Sequence, residues 1–264
     1  MKTLLFWVII ILFAQTGWSK GFEESLVKAE KGDAESQYLV SCHYSSGIGA
    51  ERNIAKKIYW LTKAAEQGHV KSQYSLGLDY SWNHDGLSAD YEKALTWLTK
   101  AAENGHAGAN YSIGKLYLKG EGVEKNILKT IEYYEKAAEM GDTLAQNDLG
   151  LFHFKGETNI FFPLSPNYEQ AIKWWTMAGE QGCIPAQFML GTMFREGLGI
   201  PKNFVKSYAW LSLSSSSQYG FGKGKAELTA LSKIMTTEQI AKAQEFAAQI
   251  HDNIEKNKKN KKDD

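Results

Sequence analysis

The chain has 264 residues, 43% of them hydrophobic and 23% charged, which is enough apolar material for a core and too little charge bias for a disordered chain. Thirty basic residues balance thirty acidic ones, so there is no basic excess to neutralise phosphates, and nucleic-acid binding is excluded. Pro occurs only 4 times, helix-favouring Ala, Leu, Lys and Glu fill the periodic segments, and the 24 Gly recur at fixed offsets; this is an all-α pattern of helices separated by glycine turns.

Residues 1–19 read as a signal peptide: Lys2 supplies a positive end, Leu4 to Phe13 is continuously apolar, and Gly17 and Ser19 are small residues where a signal peptidase reads. Ten apolar residues fall short of the roughly 20 that span a bilayer as a helix. The expectation is therefore an exported protein, periplasmic or secreted, with no stable membrane insertion after cleavage. The lumen of the endoplasmic reticulum is the alternative compartment. Without Lys2 the balance is 29 basic to 30 acidic residues.

From residue 22 to residue 217 the chain repeats itself. Gly32, Gly68, Gly105, Gly141 and Gly182 recur at gaps of 36, 37, 36 and 41 residues, a period that marks stacked supersecondary units. A first helix follows each glycine, aligned as Ser36-Gln37-Tyr38, Ser72-Gln73-Tyr74, Ala109-Asn110-Tyr111, Ala145-Gln146-Asn147 and Ala186-Gln187-Phe188. Four residues on in each stands Ser41, Gly77, Gly114, Gly150 or Gly191, and a residue that small inside a helix implies close packing. Asn53, Asp90, Asn126, Asn167 and Asn203 then stand where a second helix starts, as N-caps. Each second helix carries a ring at one matched place, Trp60, Trp97, Tyr133, Trp174 or Trp210, read as a core staple because it recurs in every copy.

The pattern of Ala-x-x-Leu-Gly-x-x-Tyr, Gly-x-Gly-Val, an Asx residue and Ala-x-x-Trp-x-x-x-Ala-Ala resembles the Sel-1-like repeat family, a cousin of the tetratricopeptide repeats. The resemblance implies a right-handed α/α superhelix of about five helix-turn-helix repeats that binds other proteins or peptides, frequently as an exported adaptor in bacteria.

Two copies depart from the pattern. The second replaces its first turn glycine by Trp82-Asn83-His84-Asp85-Gly86. The fourth inserts about five residues around Phe161 and Phe162, a loop that either meets a partner or folds back onto its own stack. Residues 218–252 read as C-terminal capping helices, and 253–264 as a disordered tail with Lys256, Lys258, Lys259, Lys261 and Lys262. Cys42 and Cys183 lie four repeats apart, beyond the reach of a disulfide within one chain, and read as small buried or half-buried thiols.

No catalytic constellation, metal spacing or cofactor motif emerges, so the expectation is no enzyme, no metal and no cofactor. The rival reading takes Ser112-Ile113-Gly114-Lys115 as the Ser-x-x-Lys of a cell-wall-active or β-lactam-binding hydrolase, with Ser112 and Lys115 as its residues. The favoured reading takes the columns that vary between copies as the lining of a concave groove on the first helices. Its candidates are Asp79, Trp82, Ser112, Lys115, Lys119, Asp148, Phe152 and Lys155, with Phe161 and Phe162 on the inserted loop. Packing against the paired second helix is the competing explanation for the apolar members. Trp82 with Asp79 and Lys119 is the preferred hot spot, since aromatic anchors beside charges dominate binding energy.

Overall fold

A computed structural model of the chain describes residues 20–82, 88–159, 162–216 and 222–263, and the signal peptide expected at residues 1–19 lies outside them. The described residues form thirteen helices. Helix α1 covers residues 20–30. First helices α2 (Ala34–Ser46), α4 (Val70–Tyr80), α6 (Ala107–Lys119), α8 (Thr143–Lys155) and α10 (Ile184–Glu196) alternate with second helices α3 (Ile54–Glu66), α5 (Tyr91–Glu103), α7 (Ile127–Glu139), α9 (Tyr168–Glu180) and α11 (Phe204–Ser216). Helices α12 (Gly222–Ser232) and α13 (Thr237–Asp263) close the chain. It divides into two compact units, Met1–Tyr133 and Tyr134–Asp264.

The turn chemistry accounts for this alternation. Each second helix is capped by its Asx side chain: Asn53, Asp90, Asn126, Asn167 and Asn203 accept from the backbone N–H three residues on, at 2.9 to 3.0 Å. Gly47, Gly120 and Gly197 end three first helices in the left-handed region, which L side chains rarely adopt. The first helices have N-caps of their own. Asp33, His69 and Asp142 accept from Ser36, Ser72 and Ala145 N–H, so in three copies the residue after the repeat glycine is a side-chain cap, a role not assigned from the sequence; His106 and Cys183 stand at the same place without such a bond.

The deepest column of each second helix is not the recurrent ring but the residue after it. Leu61, Leu98, Tyr134, Trp175 and Leu211 are all exposed by 1% or less, whereas among the rings Trp174 and Trp210 are buried as expected of core staples and Trp60, Trp97 and Tyr133 are half-buried. The small residue of the first helix receives this deep column. A Cβ on Gly77 would lie 2.7 Å from Leu98 Cγ, on Gly150 2.4 Å from Trp175 Nε1, and on Gly191 2.5 Å from Leu211 Cγ. The close approach is thus side chain into helix surface. The half-buried rings serve another contact: Trp60 packs on Val40 and Tyr44, and Trp97 on Leu61 and Leu76.

Buried amides tie successive elements together. Gln37, Gln73, Gln146 and Gln187 donate to the carbonyls of Ala29, Ala65, Ala138 and Gly179, eight residues back, at 2.9 to 3.1 Å. Three of them accept in turn, from Gln67, Asn104 and Gln181. Each link joins the end of one helix to the start of the next, and in these three the second amide extends it to the turn one repeat further on.

Three expectations need correction. The inserted segment of the fourth repeat forms a short antiparallel hairpin, β1 (Glu157–Asn159) with β2 (Phe162–Leu164), pairing Thr158 with Pro163; Gly156 leaves α8 with an extended ψ of 156° that starts it. The Lys-rich tail is helical through Asp263. Ile250 and Ile254, only 7% and 4% exposed, join a cluster with Trp175 and Trp210 that anchors this helix, and Lys258 pairs with Glu255 at 2.8 Å beyond it. Finally, Cys42 is exposed rather than buried, while Cys183 is half-buried, with its thiol pushed above the usual range by burial.

Candidate binding face

Helix α4 ends without a left-handed glycine. Ser81 caps it in right-handed geometry, and Trp82 follows it, 53% exposed. Across from it, α6 presents two lysines one turn apart. Lys119 Nζ lies 5.0 Å and Lys115 Nζ 6.0 Å from the Trp82 ring centroid, and Lys115 also sits 5.6 Å from the Tyr111 ring. Such cation–π contacts at exposed sites contribute about 0.5–1 kcal/mol each; they hold the indole and both ammonium groups in one amphipathic patch. Lys119 also meets Glu121 at 3.4 Å.

Asp79 does not belong to that patch, which corrects its place in the expected hot spot. Its side chain turns toward α3, where Lys57 Nζ donates to Oδ1 at 2.6 Å, with the two side chains only 15% and 10% exposed. The matching positions of the next three copies also turn inward: Leu116 and Met193 are buried, and Phe152 meets the Tyr134 ring edge-on at 6.0 Å. This column lies against the second helix of the preceding repeat, so packing accounts for it.

The ion pair lines a pocket of about 270 Å³ between α2, α3 and α4, whose other polar walls include Tyr38, Ser41, Ser45 and Ser75. Cys42 and Leu78 stand beside them, and Leu61 is also part of the lining. Burial, reinforced by the Cys42 thiol, pushes the Tyr38 hydroxyl above the usual phenol range, so it remains a neutral donor. The sequence columns held the signal for this pocket. Lys57 aligns with Ala94, Thr130, Ala171 and Ser207, all 0% exposed, and no other copy puts a charge there.

Ser112 and Lys115 lie one turn apart on α6, yet they are engaged elsewhere. The Ser112 hydroxyl donates to the Gly108 carbonyl at 2.9 Å, and the Lys115 ammonium faces the two rings. Asp148 is half-buried beside Asn147, 3.3 Å away, and Lys155 is exposed at the end of α8. These two and Phe152 belong to residues 134–264, apart from the Trp82 patch in residues 1–133. Phe161 lies outside the described residues, and Phe162 is placed only as a strand residue of β2. No group of three or more His, Cys, Asp or Glu able to hold a metal occurs among the described residues. None of their helices is long and apolar enough to cross a membrane.

Paired helices, glycine turns, and a deep column seated on a small residue define an all-α helical repeat protein of the solenoid type. The chain belongs to the Sel1 repeat family, whose model matches five times, at residues 34–69, 70–106, 107–142, 143–183 and 184–219. Sel1 repeat proteins are helical repeat scaffolds that generally mediate protein–protein interaction, and the family is generally non-enzymatic. Among solved structures, the chain is similar to a protective antigen present in uropathogenic Escherichia coli strains, displaying an SLR fold, at 30% identity and a TM-score of 0.70. That match covers 86% of this chain but 47% of the antigen, so the chain spans about half its length. It is also similar to a Sel1 repeat protein from Oxalobacter formigenes, at 28% identity and a TM-score of 0.67, over 90% of this chain and 94% of that one. Compared with curated protein sequences, the chain has no match.

Proposed function

We propose that the chain is an exported scaffold that binds a protein or peptide partner on the first-helix face of its N-terminal unit. The observation that carries this reading is Trp82, more than half exposed, with two ammonium groups of the next first helix over its ring. A large ring left in water is costly, and a ring flanked by charges is the kind of side chain that dominates interface energy. The match to the protective antigen supports an exported setting, as does the residue 1–19 leader with its positive end, apolar run and small residues at Gly17 and Ser19. The periplasm or the outside of a bacterium fits best, and the lumen of the endoplasmic reticulum is the counterpart in a eukaryote.

The binding face is tested with a photo-crosslinking amino acid at position 82 or, as control, at position 59, where exposed Tyr59 stands on second helix α3. Crosslinking of a partner in the producing cell is expected from position 82 and not from position 59; equal capture by both, or capture by 59 alone, defeats the assignment. Mass spectrometry of the same preparation checks export, with a chain beginning at Lys20 expected.

A further inference from the structure

The Lys57–Asp79 pair departs from the packing of the other repeat boundaries. There a small second-helix residue stands opposite an apolar first-helix residue: Ala94 matches Leu116 by position, Thr130 matches Phe152, and Ala171 matches Met193. Ala94, Thr130, Ala171 and Met193 are all 0% exposed and Leu116 is 3%. At the first boundary these places hold a lysine and an aspartate, bonded at 2.6 Å, with side chains 15% and 10% exposed. An ion pair so far withdrawn from water recovers its desolvation cost poorly, and apolar replacements of similar volume are often as stable or more so. A local rule broken in this way is expected where a function needs the charged groups.

The pair leaves the pocket beside it electrically neutral. One cation and one anion stand in its wall already joined, so a carboxylate would meet Asp79 and an ammonium would meet Lys57. Other polar groups are engaged within the wall: the Ser41 hydroxyl donates to the Tyr38 carbonyl at 2.6 Å, and the Tyr38 hydroxyl is bonded to Cys42 and Ser75. What is left for a ligand is a donor beside an acceptor. An ammonium carries three N–H donors, and the bond to Asp79 uses one of those of Lys57. A carboxylate oxygen has two lone pairs, so Asp79 Oδ1 accepts a second donor next to the first. Ser45 adds a hydroxyl, and Leu61 and Leu78 add apolar wall. The volume of about 270 Å³ is just below the roughly 300–1,000 Å³ of small-molecule sites; it suits one side chain of a larger partner.

We infer that the protein partner of this scaffold inserts an uncharged carboxamide side chain, Gln or Asn, into this pocket. The amide oxygen accepts from the Lys57 ammonium, the amide NH2 donates to Asp79 and Ser45, and the methylene stem runs along Leu61 and Leu78. A carboxamide offers an acceptor and a donor side by side without charge, which matches the joined pair. The hydroxyl of Ser or Thr has a single donor and a stem too short for a pair set so far below the surface. Helix α4 carries Ser75, Leu78 and Asp79 of the pocket wall, and Trp82 follows its cap, so the pocket lies three residues from the exposed ring. This deepens the proposed scaffold function and rests on it.

Three side-chain analogues test the pocket: propionamide for Gln, propionate for Glu and butylammonium for Lys, each titrated into the full chain and followed by methyl NMR of Leu61 and Leu78. Saturable shifts with propionamide are expected, with affinity about tenfold or more above that of either ion, since each ion meets a like charge. Lys57→Ala with Asp79→Leu copies the Ala94 and Leu116 pair of the next boundary; it is expected to lose the shifts while melting no lower than the parent. Asp79→Asn keeps the shape and removes the anion, and is expected to turn the preference to propionate, a reversal that a merely structural ion pair would not produce. Propionate or butylammonium bound as tightly as propionamide, no shift with any of the three, shifts that survive the double variant, or a double variant that melts lower each overturn the inference. All of these leave the scaffold reading standing, because it is decided by capture from position 82. No capture from position 82 defeats that reading, and this inference with it.

Discussion

At the scale of single residues, the buried glutamines hold more of the structure than their polar character suggests. Gln146 is 1% exposed, donates to the Ala138 carbonyl at 2.9 Å and accepts from Gln181 at 2.8 Å. A buried amide is tolerable only when its groups are paired, and here pairing bridges a helix end, the following helix and the next turn. Gln146→Leu keeps the approximate volume and removes both bonds. At about 0.5–1.5 kcal/mol for each hydrogen bond, the expected loss is about 1–3 kcal/mol, read as a lower urea midpoint with an unchanged slope. A midpoint equal to the parent's would mean the amide fills space only. The glutamine column was visible in the aligned first helices, but the acceptor eight residues back was not, because a hydrogen bond across a turn depends on how the turn closes.

At the scale of the helix pair, the small residue of the first helix and the deep residue of the second form one joint. Trp175 is fixed in it: its ring is 1% exposed, and its Nε1 donates to the Asn147 carbonyl at 3.1 Å. A Cβ on Gly150 would stand 2.4 Å from that nitrogen and 2.5 Å from Cδ1. Ala is the better helix former by about 1 kcal/mol, yet overpacking against a ring with no room to move typically costs about 1–3 kcal/mol. Gly150→Ala is therefore expected to destabilise, whereas Gly21→Ala on α1, with nothing within 4 Å of its Cβ, is expected to be neutral or stabilising. Thermal melts of the two variants compare them directly, and equal shifts would remove the joint as the reason for the glycine. The recurrence of a small residue here was plain in the sequence. The residue that fills the joint was not: only the packed helices seat Leu98, Trp175 and Leu211, one position after the rings, on Gly77, Gly150 and Gly191.

At the scale of the whole molecule, the last helix closes the C-terminal unit. Helix α13 places Ile250 and Ile254 against Trp175 and Trp210, so the final repeat has a cover in place of a sixth copy. Ile254 is 4% exposed. Ile254→Asp loses about 1.5–3 kcal/mol of side-chain burial and sets a carboxylate against apolar residues, which adds to it. Faster amide exchange in α13 and along α9 and α11 is expected. Exchange unchanged in α9 and α11 would show that α13 is an appendage and not a lid.

The sequence by itself determined the repeat, its period, the alternation of helices and the Asx caps, because these depend on contacts within a few residues and recur five times. It also singled out Trp82, Lys115 and Lys119 by their variation between copies. Tertiary structure alone decided which variable columns are buried and which stand in solvent. Asp79 near the end of α4 and Trp82 just past its cap lie three residues apart, yet one is drawn under α3 by Lys57, 22 residues earlier, while the other stands in solvent. Helical spacing assigns both to neighbouring faces; only the position of the preceding second helix separates a buried charge from an exposed ring. The Lys-rich end followed the same logic: its composition reads as solvated, and Ile254 beneath the last repeats makes it helical.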